Sequence, residues 1–261
     1  VPPWIRGASK VAGEASVRFC LDAIEAAKDG IIDAVVTGPI SKKSWNLAGV
    51  EWPGHTEMLA ARCKSPRKAM MFAAGPLKLA LATIHEPLFE IRHKFTIGCV
   101  FDPIDLLNDA LMTYFGIRSP KIGVAALNPH AGEDGQFGDE EKRIITPAIN
   151  LARHHGIECH GPFSADTLFL RASQGEFDGV VAMYHDQGMI AVKLLDFSGA
   201  VNVTIGIPII RTSPAHGTAF DIAGRNTADA SSMKSAITTA IQMAKVNKAR
   251  EPANANAANQ R

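Results

Sequence analysis

The hydrophobic residues of this chain follow two alternating patterns. In residues 11–28 they recur at helical spacing, and residues 31–36 form a short run that is almost entirely apolar. A strand that is apolar on both faces is typical of the buried sheet of an α/β protein, in which helices cover both sides. The start of the chain therefore predicts an α/β fold.

The same two patterns recur along the rest of the chain. They predict strands at 79–83, 121–127 and 179–183, a strand pair within 201–210, and helices at 103–115, 144–155 and 231–246. We therefore expect a mostly parallel or mixed sheet with flanking helices.

Polar or conformationally special residues follow several of these strands. The first strand is followed by Thr37-Gly38-Pro39, and the strands at 79–83, 121–127 and 179–183 are followed by His85, His130 and His185. Ligands of open α/β sheets bind outside the carboxyl ends of the strands. We therefore expect a ligand site at that edge of the sheet.

Composition excludes several classes of partner. The chain has 261 residues, of which 46% are hydrophobic and 20% charged, with a net charge of +1. These values are typical of a globular protein with one large domain or two small ones. Because the charges are mixed and no apolar run is long enough to span a bilayer, we expect neither nucleic acid nor a membrane as a partner.

The four cysteines lie far apart and form no CxxC pair, which predicts reduced thiols in a cytoplasmic protein.

Two features concern the ends of the chain. The sequence begins at Val1 without an initiator methionine and without a first strand, so we expect an N-terminally truncated chain. Residues 251–261 are polar and low in complexity, and we expect a disordered tail there.

Three of the nine histidines are candidates for a metal site, because His85, His130 and His185 each follow a predicted strand end. Three imidazoles that leave one coordination position open are a common catalytic arrangement for zinc or a similar ion, which then acts as a Lewis acid. Histidines so far apart in sequence need not meet, so the spacing alone leaves a metal site and separate structural roles both open.

Two further sets of residues suggest an anion site. His55 and Thr56 follow Gly54 at a predicted helix start, where backbone N–H groups favour an anion, although Thr56 would also serve as a simple N-cap. Lys193 and Arg211 lie in otherwise apolar sequence together with Asn202. A buried cation needs a partner, which can be a bound phosphate or carboxylate or an internal salt bridge.

The remaining candidates depend more on context. Asp166 lies in a predicted loop as either a helix N-cap or a catalytic acid/base. Residues 216–225 are mostly small and contain glycines, which permit close approach to a planar ligand or simply a tight loop. The sequence contains neither GxGxxG nor a Walker loop, so a dinucleotide cannot be inferred from those motifs.

Taken together, eight segments resemble the 4-hydroxythreonine-4-phosphate dehydrogenase family of vitamin B6 biosynthesis. They occur in the family's order over about residues 11–246. The segments are VVTGPISK at 35–42, GHTE at 54–57, ATIHEPL at 82–88, NPHAGE at 128–133, GPFSADTLF at 161–169, AMYHDQG at 182–188, VNVTIGIPIIRTS at 201–213 and HGTAFDIAGR at 216–225.

The resemblance implies roles for individual residues. Asp166 matches an acidic residue near the reacting hydroxyl. The ligands of a divalent metal (Zn, Mg or Co), drawn in that family from both subunits of a homodimer, match His85, His130 and His185. The positions that bind the substrate, mainly around its phosphate, match His55, Thr56, Lys193, Asn202 and Arg211.

The segment at 216–225 is also similar to the NAD loops of isocitrate and isopropylmalate dehydrogenases, which use no GxGxxG. This similarity implies that NAD or NADP is bound by His216, Gly217, Thr218, Asp221 and Gly224.

The implied architecture is that of those dehydrogenases, with two α/β domains and a cleft between them. Residues 1–50 and 195–250 would form the remainder of the first domain, and residues 51–194 the second domain with the dimer interface. Family members carry a further stretch at the front, including a GDPxGIGPE-like segment. This sequence does not contain that stretch, so we expect the front of the first domain to be missing.

The implied activity is the NAD- and metal-dependent oxidation, with decarboxylation, of 4-phosphooxy-L-threonine to 3-amino-2-oxopropyl phosphate. The stretch LLDF at 194–197 also fits relatives that act on 4-phospho-D-threonate or 4-phospho-D-erythronate. Two other classes stay open. One is a metal-dependent aldolase or hydrolase that uses the same histidines without NAD, and the other is a non-catalytic remnant that binds only metal or phosphate.

Overall fold

The computed structural model describes the backbone of residues 7–258 and the side-chain surroundings of residues 7–250. The described strands are β1 (Ala34–Val36), β2 (Ala69–Ala74), β3 (Leu77–Leu81), β4 (Lys121–Ala125), β5 (Glu158–Phe163), β6 (Gly179–Ala182), β7 (Val201–Ile205) and β8 (Ile210–Pro214). The described α-helices are α1 (Lys10–Lys28), α2 (Lys42–Leu47), α3 (His55–Arg62), α4 (Ile91–Lys94), α5 (Ile97–Phe115), α6 (Thr146–His154), α7 (Ala165–Ser173), α8 (His185–Leu195) and α9 (Ser231–Ala258).

All eight strands belong to one mixed sheet in the order β1-β8-β7-β2-β3-β6-β4-β5, which confirms the predicted α/β class. Pairing is parallel from β3 through β6 and β4 to β5, and between β1 and β8. It is antiparallel from β8 through β7 and β2 to β3. Consequently β1, β8 and β2 run in one direction, and the other five strands run in the opposite one.

This reversal corrects the prediction that the polar strand ends meet at one edge. Thr37 follows β1, whereas His85, His130 and His185 follow β3, β4 and β6, which run the opposite way. The reason is that β2 and β3 form an antiparallel hairpin and β7 pairs antiparallel with both its neighbours, so the direction changes within the sheet. A ligand that contacts both sets of residues must therefore lie across a face of the sheet.

The two faces of the sheet are covered by different helices. Met71 packs in a cluster with Ile104 of α5, whereas the adjacent Phe72 packs in another cluster with Met189 and Val192 of α8. This alternation follows from the strand period of two, which sends successive side chains to opposite faces. A third cluster joins α1, α2 and α3, with Trp45 almost fully buried in it.

Within residues 7–258, no helix has the length and apolar character needed to cross a membrane. The last helix includes residues 251–258 of the segment expected to be disordered, and residues 259–261 lie outside the described residues. The division of the chain into two domains and a tail stays a prediction.

Candidate functional site

A cavity of about 340 Å³ lies against the face of the sheet that α8 covers. Its floor includes Phe72, Asn202 and Ser213, which are direct neighbours across β2, β7 and β8 in the strand register. Arg211 is two residues from Ser213 on β8 and therefore points to the same face. The start of α3 and the inner face of α8 form the walls.

Arg211 is a buried cation in this cavity, with 3% of its surface exposed. Its guanidinium donates hydrogen bonds to Thr37 Oγ1, at 2.7 and 3.1 Å, and to Thr204 Oγ1 at 3.1 Å. Among the described residues, no carboxylate lies within 4.0 Å of it. Burial lowers the pKa of Arg211 to about 10, against a smaller raising effect of Cys20 and Glu57, so the group is still charged at neutral pH.

His55 connects Arg211 to α1. Its Nδ1 lies 3.3 Å from Arg211 Nη2, and its Nε2 lies 3.2 Å from Cys20 Sγ. Burial, together with the nearby charge of Arg211, lowers the pKa of His55 to about 3, so the ring is neutral. Because a guanidinium can only donate, Nδ1 accepts from Arg211, and Nε2 carries the ring proton toward Cys20.

The start of α3 presents uncapped backbone N–H groups to the cavity. Gly54, in an extended conformation, is the N-cap residue, and no side chain in the described part of the chain caps the helix. Thr56 is therefore in the first turn rather than at the N-cap, which removes the simpler of its two sequence interpretations. A helix N-terminus of this kind, beside an unpaired guanidinium, favours an anion.

The remaining predicted phosphate contacts line the same cavity. Lys193 lies in the last turn of α8, and Asn202 lies on β7. The Asn202 Oδ1 atom is buried without a hydrogen-bond partner within the described part of the chain. The structure thus brings all five predicted substrate-binding residues to one cavity, namely His55, Thr56, Lys193, Asn202 and Arg211.

Two of the three predicted metal ligands also line this cavity. The ring centroids of His85 and His185 are 5.9 Å apart. Two imidazoles on one ion at the usual Zn–N distance of about 2.0–2.1 Å have centroids roughly 5–6.5 Å apart, so the pair fits a shared metal. His185 Nδ1 lies 2.7 Å from Asp186 Oδ1, which orients the ring and leaves Nε2 available.

The state of His85 also suits a metal ligand. Burial lowers the pKa of His85, and the charges of Lys42 and His185 lower it further, which favours the neutral imidazole that binds metals. Among the described residues, however, no three His, Cys, Asp or Glu side chains come close enough to hold a metal together. The three predicted histidines therefore do not meet within one chain.

His130 and Asp166 lie outside the cavity. His130 is exposed in the turn Pro129–Gly135, whose backbone is left-handed at His130 itself, with φ of 51°. Asp166 is exposed in the first turn of α7. The N-cap residue of that helix is Ser164, so the interpretation of Asp166 as an N-cap is wrong. Because α7 packs against the turn, these two side chains belong to neighbouring elements.

Of the segment predicted to bind a dinucleotide, only the first part reaches the cavity. His216 and Gly217 line its rim, and His216 Nδ1 donates to the carbonyl oxygen of Gly217 at 2.8 Å. Thr218, Asp221 and Gly224 follow in a largely exposed loop.

Three residues of the site were not among the predicted ones. Lys42 and Glu57 line the cavity, and Thr37 accepts the hydrogen bonds of Arg211. All three residues lie in segments that the sequence had already singled out: Thr37 and Lys42 belong to VVTGPISK, and Glu57 is the last residue of GHTE. Their roles could not be predicted, because they depend on contacts with β8 and with His85, which are distant in sequence.

The chain is similar to proteins of known sequence and structure. The profile of the family described as "Pyridoxal phosphate biosynthetic protein PdxA" matches residues 5–240. The chain is 51% identical, over 90% of its length and 69% of the relative's, to a 4-hydroxythreonine-4-phosphate dehydrogenase of Geobacter metallireducens. It is 44% identical, over 90% of its length and 71% of the relative's, to a D-threonate 4-phosphate dehydrogenase of Cupriavidus necator.

The structural comparison agrees with the sequence comparison. The crystal structure of 4-hydroxythreonine-4-phosphate dehydrogenase from Klebsiella pneumoniae matches with a TM-score of 0.86 and 40% identity. The match covers 92% of this chain and 73% of that one.

Proposed function

Because the chain belongs to the PdxA family of pyridoxal phosphate biosynthetic proteins, whose relatives named above are dehydrogenases, we propose that it oxidises 4-phosphooxy-L-threonine. In this reaction 4-phosphooxy-L-threonine and NAD⁺ give 3-amino-2-oxopropyl phosphate, CO₂ and NADH. The enzyme is a dehydrogenase, and the substrate, the cofactor and the metal are the parts proposed.

The observation that carries the proposal is the buried guanidinium of Arg211, which has no carboxylate within 4.0 Å among the described residues. A buried charge of this kind is unfavourable unless it is paired, and a phosphate dianion pairs with it by charge-assisted hydrogen bonds. The α3 N-terminus and Lys193 add positive potential in the same cavity. Asn202 Oδ1, buried without a partner among the described residues, can accept a hydrogen bond from a hydroxyl or amino group of the substrate. Arg211, Lys193 and the α3 N-terminus would bind the phosphate and so orient the carbon chain toward the histidines.

His85 and His185 would hold the divalent metal, and residues 216–224 would hold NAD. When bound, the metal supplies Lewis acidity toward substrate oxygens, and NAD supplies a hydride acceptor. The residues of the chain orient the substrate, and the Asp166 carboxylate is the candidate base for the hydroxyl proton. His55 is neutral and therefore adds no positive charge beside the phosphate. Its role is to hold Arg211 in place through the hydrogen bond that its Nδ1 accepts.

We propose that the site is completed in a homodimer, in which His130 and Asp166 of the partner subunit approach the cavity. Two observations support this arrangement. Both side chains are exposed and lie on elements that pack against each other, outside the cavity of their own chain. The adjoining helices also expose large apolar side chains, including Leu170 of α7 and Leu194 of α8, which is 82% exposed.

We also propose a cytoplasmic location, where thiols stay reduced. Its support is that the four cysteines are free thiols in the structure, namely Cys20, Cys63, Cys99 and Cys159.

The test is a turnover assay with purified protein, Zn²⁺, NAD and 4-phosphooxy-L-threonine, followed by NADH absorbance. We expect NADH to form only when all three are present, and the His130→Ala variant to form none. Product formation without NAD would favour an aldolase or hydrolase that uses the same histidines and would contradict the proposal.

The relative from Cupriavidus necator supports a second candidate substrate, 4-phospho-D-threonate. The two substrates share the phosphate and a hydroxyl next to an acid-bearing carbon chain, so the Arg211 cavity suits both. Comparing kcat/KM for 4-phosphooxy-L-threonine, 4-phospho-D-threonate and 4-phospho-D-erythronate in the same assay decides between them. A higher kcat/KM for either sugar-acid phosphate would replace the main proposal.

A further inference from the structure

Glu141 is a buried carboxylate that the proposed reaction does not use. It is 5% exposed and begins a short π-helical segment, Glu141–Ile145, that leads into α6. Among the described residues no Lys, Arg or His nitrogen lies within 4.0 Å of its carboxylate. A buried carboxylate without a cation is retained only where hydrogen-bond donors satisfy it.

Among the described residues, the donors come from the second and third residues after the end of β4, Leu127 and Asn128. Glu141 Oε1 accepts hydrogen bonds from the backbone N–H groups of Leu127 and Asn128, each at 2.8 Å. Glu141 Oε2 accepts from the side-chain amide of Asn128 at 3.0 Å. The carboxylate therefore fixes the chain two residues before His130, where the chain leaves the sheet.

The turn that follows needs such support. Its non-glycine residues His130, Ala131, Glu133 and Asp134 all have positive φ, between 42° and 55°. Each of these left-handed conformations is unfavourable for an L-residue, so contacts outside the turn must hold the backbone in this form.

Glu141 also lies directly beside the middle of the turn. A Cβ atom built on Gly132, at φ of 82°, would be 2.9 Å from Glu141 Oε2. The His130 side chain is exposed, with the ring of Phe137 6.2 Å away between centroids, so its direction depends largely on the backbone of the turn. Backbone hydrogen bonds from Gln136 and Phe137 close the turn, and the Glu141 carboxylate holds the residues that lead into it.

We propose that Glu141 is a positioning residue for His130: its carboxylate holds the left-handed turn that presents His130 outward as a metal ligand for a second copy of the chain. This inference rests on the proposed function, because it takes His130 to be a ligand. If Glu141 had a purely structural role, substituting it would lower the stability of the fold and leave metal binding through His130 unchanged.

The experiment uses the full chain with Glu141→Gln, His130→Ala and the double variant. Glutamine keeps the size of the side chain, but it cannot accept all three hydrogen bonds. Asp139→Asn is the matched control, because Asp139 is an exposed carboxylate of the same segment that bonds to Arg143 and not to the turn. The readouts are the dissociation constant for Zn²⁺ alone and hydrogen exchange of residues 127–138 in the metal-free protein.

We expect Glu141→Gln to speed exchange in residues 127–138 and to weaken Zn²⁺ binding by about 10-fold, the lower end for partners that orient a metal ligand. In the His130→Ala background, Glu141→Gln is expected to cause no further loss of Zn²⁺ affinity. Asp139→Asn should behave as the wild type in both readouts. If Glu141→Gln is insoluble, Asn128→Ala takes its place. It removes the amide that donates to Glu141 Oε2 and to Glu140 Oε2 but keeps both backbone hydrogen bonds to Glu141 Oε1, so a smaller loss of Zn²⁺ affinity in the same direction is expected.

Two results would overturn the inference. The first is faster exchange with unchanged Zn²⁺ affinity, and the second is an equal loss of affinity with and without His130, because either means that Glu141 does not act through that histidine. If His130→Ala binds Zn²⁺ as tightly as the wild type, the proposed metal role of His130 fails and this inference fails with it. The hydrogen-exchange data then still show whether Glu141 holds the turn. A failure of the metal role of His130 can therefore be distinguished from a failure of the role of Glu141.

Discussion

His55 Nδ1 lies 3.3 Å from Arg211 Nη2, so a neutral imidazole accepts a hydrogen bond from a buried guanidinium at the floor of the cavity. Burial and, to a smaller extent, the charge of Arg211 lower the pKa of His55 to about 3, so the ring does not carry a charge of its own. A protonated imidazole would place two cations against each other in a buried site.

The first prediction is that His55 makes the fold less stable as the pH falls. Its pKa is about 3 in the folded chain and near 6.5 when unfolded. Between these values the unfolded state binds more protons, so stability is lost as the pH drops below about 6.5. We expect His55 to account for about 2 kcal/mol of lost unfolding free energy between pH 7 and pH 5.

Urea denaturation at the two pH values checks this expectation. His55→Gln should lose less stability on acidification than the wild type does. His154→Gln, which removes an exposed histidine of α6, should keep the wild-type dependence. An unchanged pH dependence in His55→Gln would contradict the assigned neutral state.

The second prediction concerns Arg211 as the phosphate anchor. Arg211→Met removes the guanidinium, and loss of charge-assisted hydrogen bonds worth about 3 kcal/mol should raise KM for the phosphorylated substrate roughly 100-fold. The rise in thermal midpoint that inorganic phosphate causes in the wild type should disappear as well. Arg67→Met is the control, because Arg67 is an exposed arginine paired with Asp102 and Asp105. A phosphate-dependent shift retained in Arg211→Met would refute the anchor.

The third prediction tests the shared site by mixing two inactive variants. His85→Ala and His130→Ala should each be inactive alone, since each variant lacks one ligand in every site. In a mixed dimer one site has the intact His85 and His185 of one chain and the intact His130 of the other. With random exchange of subunits, half of the dimers carry one working site, so activity should return to about a quarter of the wild-type value.

The two variants are refolded together, and the rate of NADH formation by the mixture is measured. A mixture of His85→Ala with His185→Ala is the control and should stay inactive, because these two side chains line the same cavity. If the first mixture also stays inactive while the wild type survives the same treatment, the site is not shared between subunits.

The fourth prediction concerns Asp186, which lies 2.7 Å from His185 Nδ1. Asp186→Asn should leave the ring less well oriented and weaken Zn²⁺ binding by roughly 10-fold to 100-fold. Titration with Zn²⁺ against a competing chelator measures the change. Asp22→Asn removes an exposed carboxylate of α1 that pairs with Arg18, and it should have no effect. Equal affinities for Asp186→Asn and the wild type would exclude this orienting role.

The class of fold and most of the elements could be predicted from local patterns of residues. The helix predicted at 11–28 matches α1, and the predicted strands at 121–127 and 179–183 match β4 and β6 with small shifts at their ends. These elements could be predicted because the period of apolar residues is a local property of the chain. The strand β2 was missed, because Ala69–Ala74 consists mainly of Ala and Met, which favour helices, and pairing with β3 and β7 makes it a strand.

The sequence also singled out His55, Arg211 and the three histidines, through motifs whose residue types suit phosphate and metal. Which of these residues meet depends on the tertiary structure. The direction of a strand depends on its neighbours in the sheet, and the reversal at β2 and β7 moves the cavity onto a face of the sheet. Contacts between residues far apart in the chain brought His85 to His185, buried Arg211 with no carboxylate of the described residues within 4.0 Å, and placed Glu141 against the residues that lead to His130. Such contacts follow from packing of the whole chain, which no local pattern of residues contains.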